Sequence, residues 1–295
     1  MYRVPAHLLF LLIVPVSTAS PVQTQPPAAE AVTTDLDIPY QSINGVDLHL
    51  DIYRPTTPST EPRPAVILLH GGGWSSFDKS NMRTMGQFLA RHGYVAFAVD
   101  YRLFHDSQNR WPAQLDDVQF AVRWIRANAS KYGVNPKLIG AFGHSAGAQL
   151  AAILGMEDTR TNTDPALAHY SSKVQAVVDV SGPTDFTADH NSEGVAFLNE
   201  FLGASLASHP EIWRDASPSF HVAKDNAPFL IVHGTQDENV PIQQAQKFFD
   251  KLQTAGVPSS FVKVNDVHTF ETTEARRQLA IESLAFFTRY LGVPR

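Results

Sequence analysis

The 295-residue chain contains no cysteine. That excludes a disulfide framework, a thiolate zinc site and a cysteine nucleophile, and it leaves the redox compartment open. Long basic runs are missing too: 23 Lys and Arg stand against 29 Asp and Glu, a formal net charge of -6. A nucleic-acid-binding face needs clustered positive charge, so no nucleic-acid partner is expected. No apolar run approaches the roughly 20 residues of a bilayer-crossing helix, so no membrane span is expected. Phosphate-binding glycine loops, dinucleotide fingerprints and metal-ligand spacings are also missing, and neither cofactor nor metal is expected. Internal repeats are absent.

What is present is apolar enough for a sizeable core. Hydrophobic residues make up 43% and charged residues 18% of the chain, which fits one large α/β domain or two small ones. The first 19 residues read as a secretory signal. Arg3 precedes an apolar run from Leu8 to Val16, and Ser17-Thr18-Ala19 offers a cleavage site before Ser20. A secreted or periplasmic location is the expectation. Residues 20–34 are rich in Pro, Ala and Gln without periodicity and read as a linker outside the fold.

From residue 35 to residue 295 strands alternate with helices. Asp37 to Ser42 and Val46 to Tyr53 flank Asn44-Gly45, a hairpin signal. Ala65 to Leu69, Tyr94 to Val99, Leu138 to Phe142, Val174 to Val180, Pro228 to His233 and Ser259 to Val264 are apolar runs of strand length. Helical patterns cover Asn81 to His92, Gln114 to Tyr132, Ile242 to Thr254 and Glu274 to Leu291. The expected fold is α/β: a mostly parallel eight-stranded sheet with helices on both faces. Residues 182–226 are irregular, with one helical stretch from Glu193 to Leu202, and read as a cap-like insertion after the sixth strand.

Gly143-His144-Ser145-Ala146-Gly147 lies between a strand and a helix. In that context the pentapeptide is a nucleophile elbow, with the serine hydroxyl held clear of the sheet at a tight turn. A serine hydroxyl needs a base, and the base needs a third group to orient it. Two later loops leave strand ends in the required order, Gly234 to Pro241 and Asn265 to Phe270. They supply Asp237 as acid and His268 as base, with Glu238 and Asp266 as competing carboxylates. His233 ends a strand and is expected to pack or hydrogen-bond there. His70-Gly71-Gly72-Gly73-Trp74 follows a buried strand, as an oxyanion-binding loop does. The amides of Gly72, Gly73 and Ala146 are the candidate donors, with Gly71 as a substitute for one of them. Trp74, His144 and Trp111 are candidate substrate contacts, and ordinary packing is the alternative for each. Arg102 is expected to pair with Asp116 or Asp117.

These motifs, with Asp100-Tyr101-Arg102, resemble an α/β-hydrolase esterase of the hormone-sensitive-lipase-like group. Leu50-Asp51-Ile52-Tyr53-Arg54-Pro55 and Pro112-Ala113-Gln114-Leu115-Asp116-Asp117 are similar to the bifunctional acetylxylan and feruloyl esterase-like family. The resemblance implies a serine carboxylic ester hydrolase that works through an acyl-enzyme. The short insertion and the crowd of aromatics favour short-acyl or hydroxycinnamoyl esters, free or linked to plant polysaccharide. A longer-chain lipase-like esterase and a serine peptidase or amidase are the rival enzymes. A non-catalytic binding module is the rival from another class.

Overall fold

A computed structural model describes residues 30–43, 45–160, 164–188 and 190–292. The signal-peptide reading falls outside the described residues, as does most of the linker. Eight strands run in chain order: β1 (Val32–Ile43), β2 (Val46–Pro55), β3 (Arg63–Leu69), β4 (Val95–Val99), β5 (Val134–His144), β6 (Ala176–Val180), β7 (Phe229–Gly234) and β8 (Ser259–Val264). The helices are α1 (Arg83–Arg91), α2 (Ala113–Ala127), α3 (Ala129–Tyr132), α4 (Ala146–Leu154), α5 (Ser192–Leu202), α6 (Pro210–Asp215), α7 (Ile242–Thr254) and α8 (Thr273–Leu291).

They form one sheet in the order β1-β2-β4-β3-β5-β6-β7-β8. β2 is antiparallel to β1 and β4, and every other pairing is parallel. Every residue of β3 and β4 is buried, which is why residues 65–69 of β3 and the whole of β4 read as unbroken apolar runs in sequence. Alternation divides the core into two layers. Ala65, Ile67 and Leu69 of β3 join the cluster that holds Leu115 and Val118 of α2, Leu150 of α4 and Phe248 of α7. Val66 and Leu68 point the other way, into the cluster with Leu89 of α1 and Phe287 of α8. Helices on both faces bury the sheet, as in the α/β-hydrolase fold.

Several boundaries differ from the expectation, two of them with a clear cause. The linker does not run to residue 34, because β1 begins at Val32 and pairs with Pro55 of β2. Glu30 is also tied down, by an ion pair of 3.3 Å to the buried Arg63. The expected long helix from Gln114 to Tyr132 breaks at Asn128, whose side-chain amide donates to the Trp124 carbonyl at 2.9 Å. Such a local bond competes with the helix ladder. The stretch between β6 and β7 carries α5, α6 and a single turn at Pro218–Phe220, and it forms the expected cap. Arg102 pairs with Asp117, its Nη2 lying 2.8 Å from Oδ1 and its Nε 2.8 Å from Oδ2. That bidentate contact anchors the chain leaving β4 to α2.

Candidate active site

The turn between β5 and α4 is strained where the chemistry needs it. Ser145 has φ 54 and ψ -120, a conformation that side-chain-bearing residues rarely adopt. It is held there by its own N–H, which donates to the Val180 carbonyl at 2.8 Å. The flanking glycines are required by contact. A Cβ on Gly143 would lie 2.1 Å from the Gly147 carbonyl oxygen, and one on Gly147 would lie 2.2 Å from that of Leu69. Strand and helix can approach this closely only without side chains at both positions.

The three residues expected from sequence meet at the carboxyl edge of the sheet. Ser145 Oγ lies 2.9 Å from His268 Nε2, and His268 Nδ1 lies 2.7 Å from Asp237 Oδ2. The other carboxylate oxygen, Asp237 Oδ1, accepts the amides of Asn239 and Val240, each at 2.9 Å. Burial pushes the Asp237 carboxyl up. The hydrogen bonds from His233, His268 and the Val240 amide outweigh that and hold it far below the usual carboxylate range. Asp237 therefore stays an acceptor and fixes His268 with Nδ1–H toward it and the Nε2 lone pair toward serine.

The competing carboxylates are placed differently. Asp266 Oδ2 accepts the hydroxyl and amide of Thr272, and Oδ1 accepts the amides of Val267 and Glu271. The Thr272 hydroxyl bond leads the effects that draw the Asp266 carboxyl down to about 2. Its oxygens are committed to the loop that enters α8. Glu238 is exposed. His144 Nε2 donates to the His268 carbonyl at 2.9 Å, tying the elbow to the base-bearing loop. Burial pushes its imidazole down to about 4, so it is neutral near pH 7.

The glycine loop faces the elbow. Gly72 has φ 98, and a Cβ there would sit 2.1 Å from the Ser76 carbonyl oxygen. Among the described residues, the amides of Gly72, Gly73 and Ala146 have no backbone partner. All three residues line a cleft of about 430 Å³ that opens onto Ser145 and His268. Unpaired amides around such a cleft suit an anionic oxygen. Gly71 is packed against His144 and Ser145 and does not line the cleft.

Trp74 and His144 line the cleft. Trp74 Nε1–H donates to Gln149 Oε1 at 3.1 Å, and its ring stacks on Phe201 with centroids 4.6 Å apart. The reading of Trp111 as a substrate contact is corrected by the structure. Trp111 is buried beneath the cap, where its Nε1–H donates to Asp215 Oδ2 of α6 at 2.7 Å, and it does not line the cleft. Phe186 and Phe197 of the cap line it instead. The 197/201 spacing on a predicted helix was a signal for an inward apolar face, but not for the surface it would cover.

A family model described as BD-FAE matches residues 50–252. The chain belongs to the BD-FAE family. Its fold is that of the α/β-hydrolase esterases, within the hormone-sensitive-lipase-like group. The match takes in the glycine loop, Ser145 and Asp237, while His268 lies beyond it. The chain is 33% identical to Esterase LipC of Mycobacterium tuberculosis over 211 residues, which are 69% of this chain and 52% of LipC. It spans about half the length of the first curated relatives it matches. Among solved structures it is similar to Est2, a thermophilic esterase of Thermogutta terrifontis. The propionate-bound form has a TM-score of 0.75 at 27% identity, covering 90% of this chain and 95% of that one. The butyrate-bound form has a TM-score of 0.75 at 26% identity with the same coverage.

Proposed function

We propose that this BD-FAE member is a serine carboxylic ester hydrolase of short-acyl esters, with Ser145, His268 and Asp237 as its catalytic triad. The observation that carries the reading is the chain of contacts from Ser145 Oγ to His268 Nε2 (2.9 Å) and from His268 Nδ1 to Asp237 Oδ2 (2.7 Å). Ser145 Oγ attacks the ester carbonyl carbon as its proton passes to His268 Nε2. The carbonyl oxygen becomes an oxyanion held by the amides of Gly72, Gly73 and Ala146. The tetrahedral intermediate collapses, and His268 returns the proton to the departing alcohol oxygen. Water then attacks the acyl-enzyme by the same route and releases the acid.

The acyl preference follows from the walls of the cleft. Trp74 is packed on Phe201 and meets Phe186 edge-on at 5.5 Å, so this wall is already filled by aromatic contacts. A cap of two short helices adds little apolar surface for a long chain, and each methylene left unburied forfeits about 0.8 kcal/mol. Acetyl to butyryl esters are favoured, in keeping with the propionate and butyrate bound in the Est2 structures. The hydroxycinnamoyl reading loses support with Trp111, one of the two rings it invoked. Export to a secreted or periplasmic location belongs to the same proposal; N-terminal sequencing of the expressed protein tests it, with Ser20 as the expected first residue and an uncleaved Met1 as the refuting result. The function is tested by labelling with an organophosphate and by turnover of p-nitrophenyl esters. Labelling should map to Ser145, and turnover should be lost in a folded Ser145→Ala protein. Turnover surviving that substitution refutes the triad.

A further inference from the structure

His233 has no step in this mechanism, yet it is fully buried beside the acid. It lies near the end of β7, where its backbone is paired with β8 at Lys263. Its Nε2 is 2.8 Å from the Val240 carbonyl oxygen and 3.1 Å from Asp237 Oδ2. A carbonyl oxygen only accepts, so Nε2 carries the proton and His233 donates through it. Asp237 Oδ2 thus lies between two histidines, His268 at 2.7 Å and His233 at 3.1 Å.

We propose that His233 is a positioning residue for ester hydrolysis: its Nε2–H, donated to the Val240 carbonyl and shared with Asp237 Oδ2 at 3.1 Å, keeps that oxygen in the place from which it orients His268. The inference rests on the triad reading above. Asp237 stands on a turn, and a carboxylate on a turn can rotate about its last torsion. Two amides fix Oδ1. Among the described residues, Oδ2 is otherwise held only by His268, whose charge changes at each proton transfer. His233 supplies a second donor on a rigid strand, and through Val240 it also closes the turn that carries the acid. The other titratable groups facing this site are Asp179 on β6, His144 at the elbow, and Asp237 and His268 themselves. His233 Nδ1 has no hydrogen-bond partner among the described residues, so the two acceptors at Nε2, the Val240 carbonyl and Asp237 Oδ2, set the tautomer.

A merely structural histidine would fill space, whereas a positioning histidine must donate. His233→Met keeps the volume without a donor. His233→Gln places an amide N–H near the position of Nε2, and His233→Asn stops short of it. Kinetics with p-nitrophenyl acetate on the full chain separate the two roles. The Met and Asn variants should lose about 10- to 100-fold in kcat with KM within about twofold, the scale of a small misplacement of a catalytic group. Gln should recover most of that loss. In an Asp237→Asn background the His233 substitutions should have little further effect, because the group they act through is gone. If Met does not fold, Asn against Gln carries the same comparison. Wild-type kcat in Met or Asn, equal damage in Gln, or an undiminished loss in the Asp237→Asn background overturns the inference. When Ser145→Ala is inactive, such a result refutes His233 alone; turnover surviving Ser145→Ala refutes the triad with it.

Discussion

Glycine at position 145 should inactivate the protein and also make it more stable than alanine there. Ser145 sits at φ 54, ψ -120 because the elbow requires it. A non-glycine residue held in such a region costs about 1–3 kcal/mol. Alanine keeps that cost and glycine removes it. Against this, glycine gives the unfolded chain more freedom, worth about 0.4–1 kcal/mol. The difference leaves Ser145→Gly about 0 to 2.6 kcal/mol more stable than Ser145→Ala, with a midpoint of about 1.3 kcal/mol. Both variants lose the hydrogen bond to His268, so that term cancels between them. Urea denaturation at pH 7, with equal m-values for the pair, measures the difference directly. Glycine less stable than alanine would mean that the elbow stores less strain than the unfolded-state term, and the argument from its backbone would fail.

Other outcomes follow from the same geometry. Asp237→Asn should lower kcat by about 10⁴-fold, as loss of the orienting carboxylate does in serine triads. Glu238→Gln should stay within about twofold, because an exposed side chain outside the contact chain has little leverage. Asp266→Asn should lower the melting temperature by weakening the α8 entry loop while largely keeping kcat, as activity assays on the folded variant at low temperature can check. Trp74→Ala should open the aromatic wall and move the best p-nitrophenyl ester from butyryl or shorter toward hexanoyl or longer; an unchanged chain-length profile would remove Trp74 from the acyl wall. Asp179 gives a pH test. Burial pushes its carboxyl up to about 6. Its contribution is therefore most favourable at pH below the ordinary carboxylate value and is lost as pH rises through about 6. A rise of roughly two units corresponds to about 3 kcal/mol. Asp179→Asn should gain on wild type by an amount of that order between pH 4 and pH 8, measured by urea midpoints.

The sheet and the chemistry were legible in sequence for local reasons. Strands buried on both faces are mostly apolar, so residues 65–69 of β3 and all of β4 declared themselves by composition, the buried Arg63 being neutralised by Glu30. The elbow and the glycine loop did so because close backbone approach admits only glycine at Gly143, Gly147 and Gly72. Chain order then pointed to Asp237 and His268. Sequence by itself left Asp266 standing as a competitor, since it too follows a strand end. Tertiary structure decided it by giving Asp266 four donors from its own loop and leaving Asp237 Oδ2 for His268. Trp74 and Trp111 looked alike as aromatics near sheet-edge loops. One lines the cleft and the other lies under α6, because the cap, not the local pattern, determines what is covered. His233 read as an ordinary strand-end histidine until the turn after β7 folded back to bring Asp237 and Val240 to its Nε2. Periodicity and turn chemistry are written in neighbouring residues. A contact between Ser145 and His268, 123 positions apart, depends on the strand order and register of the whole sheet.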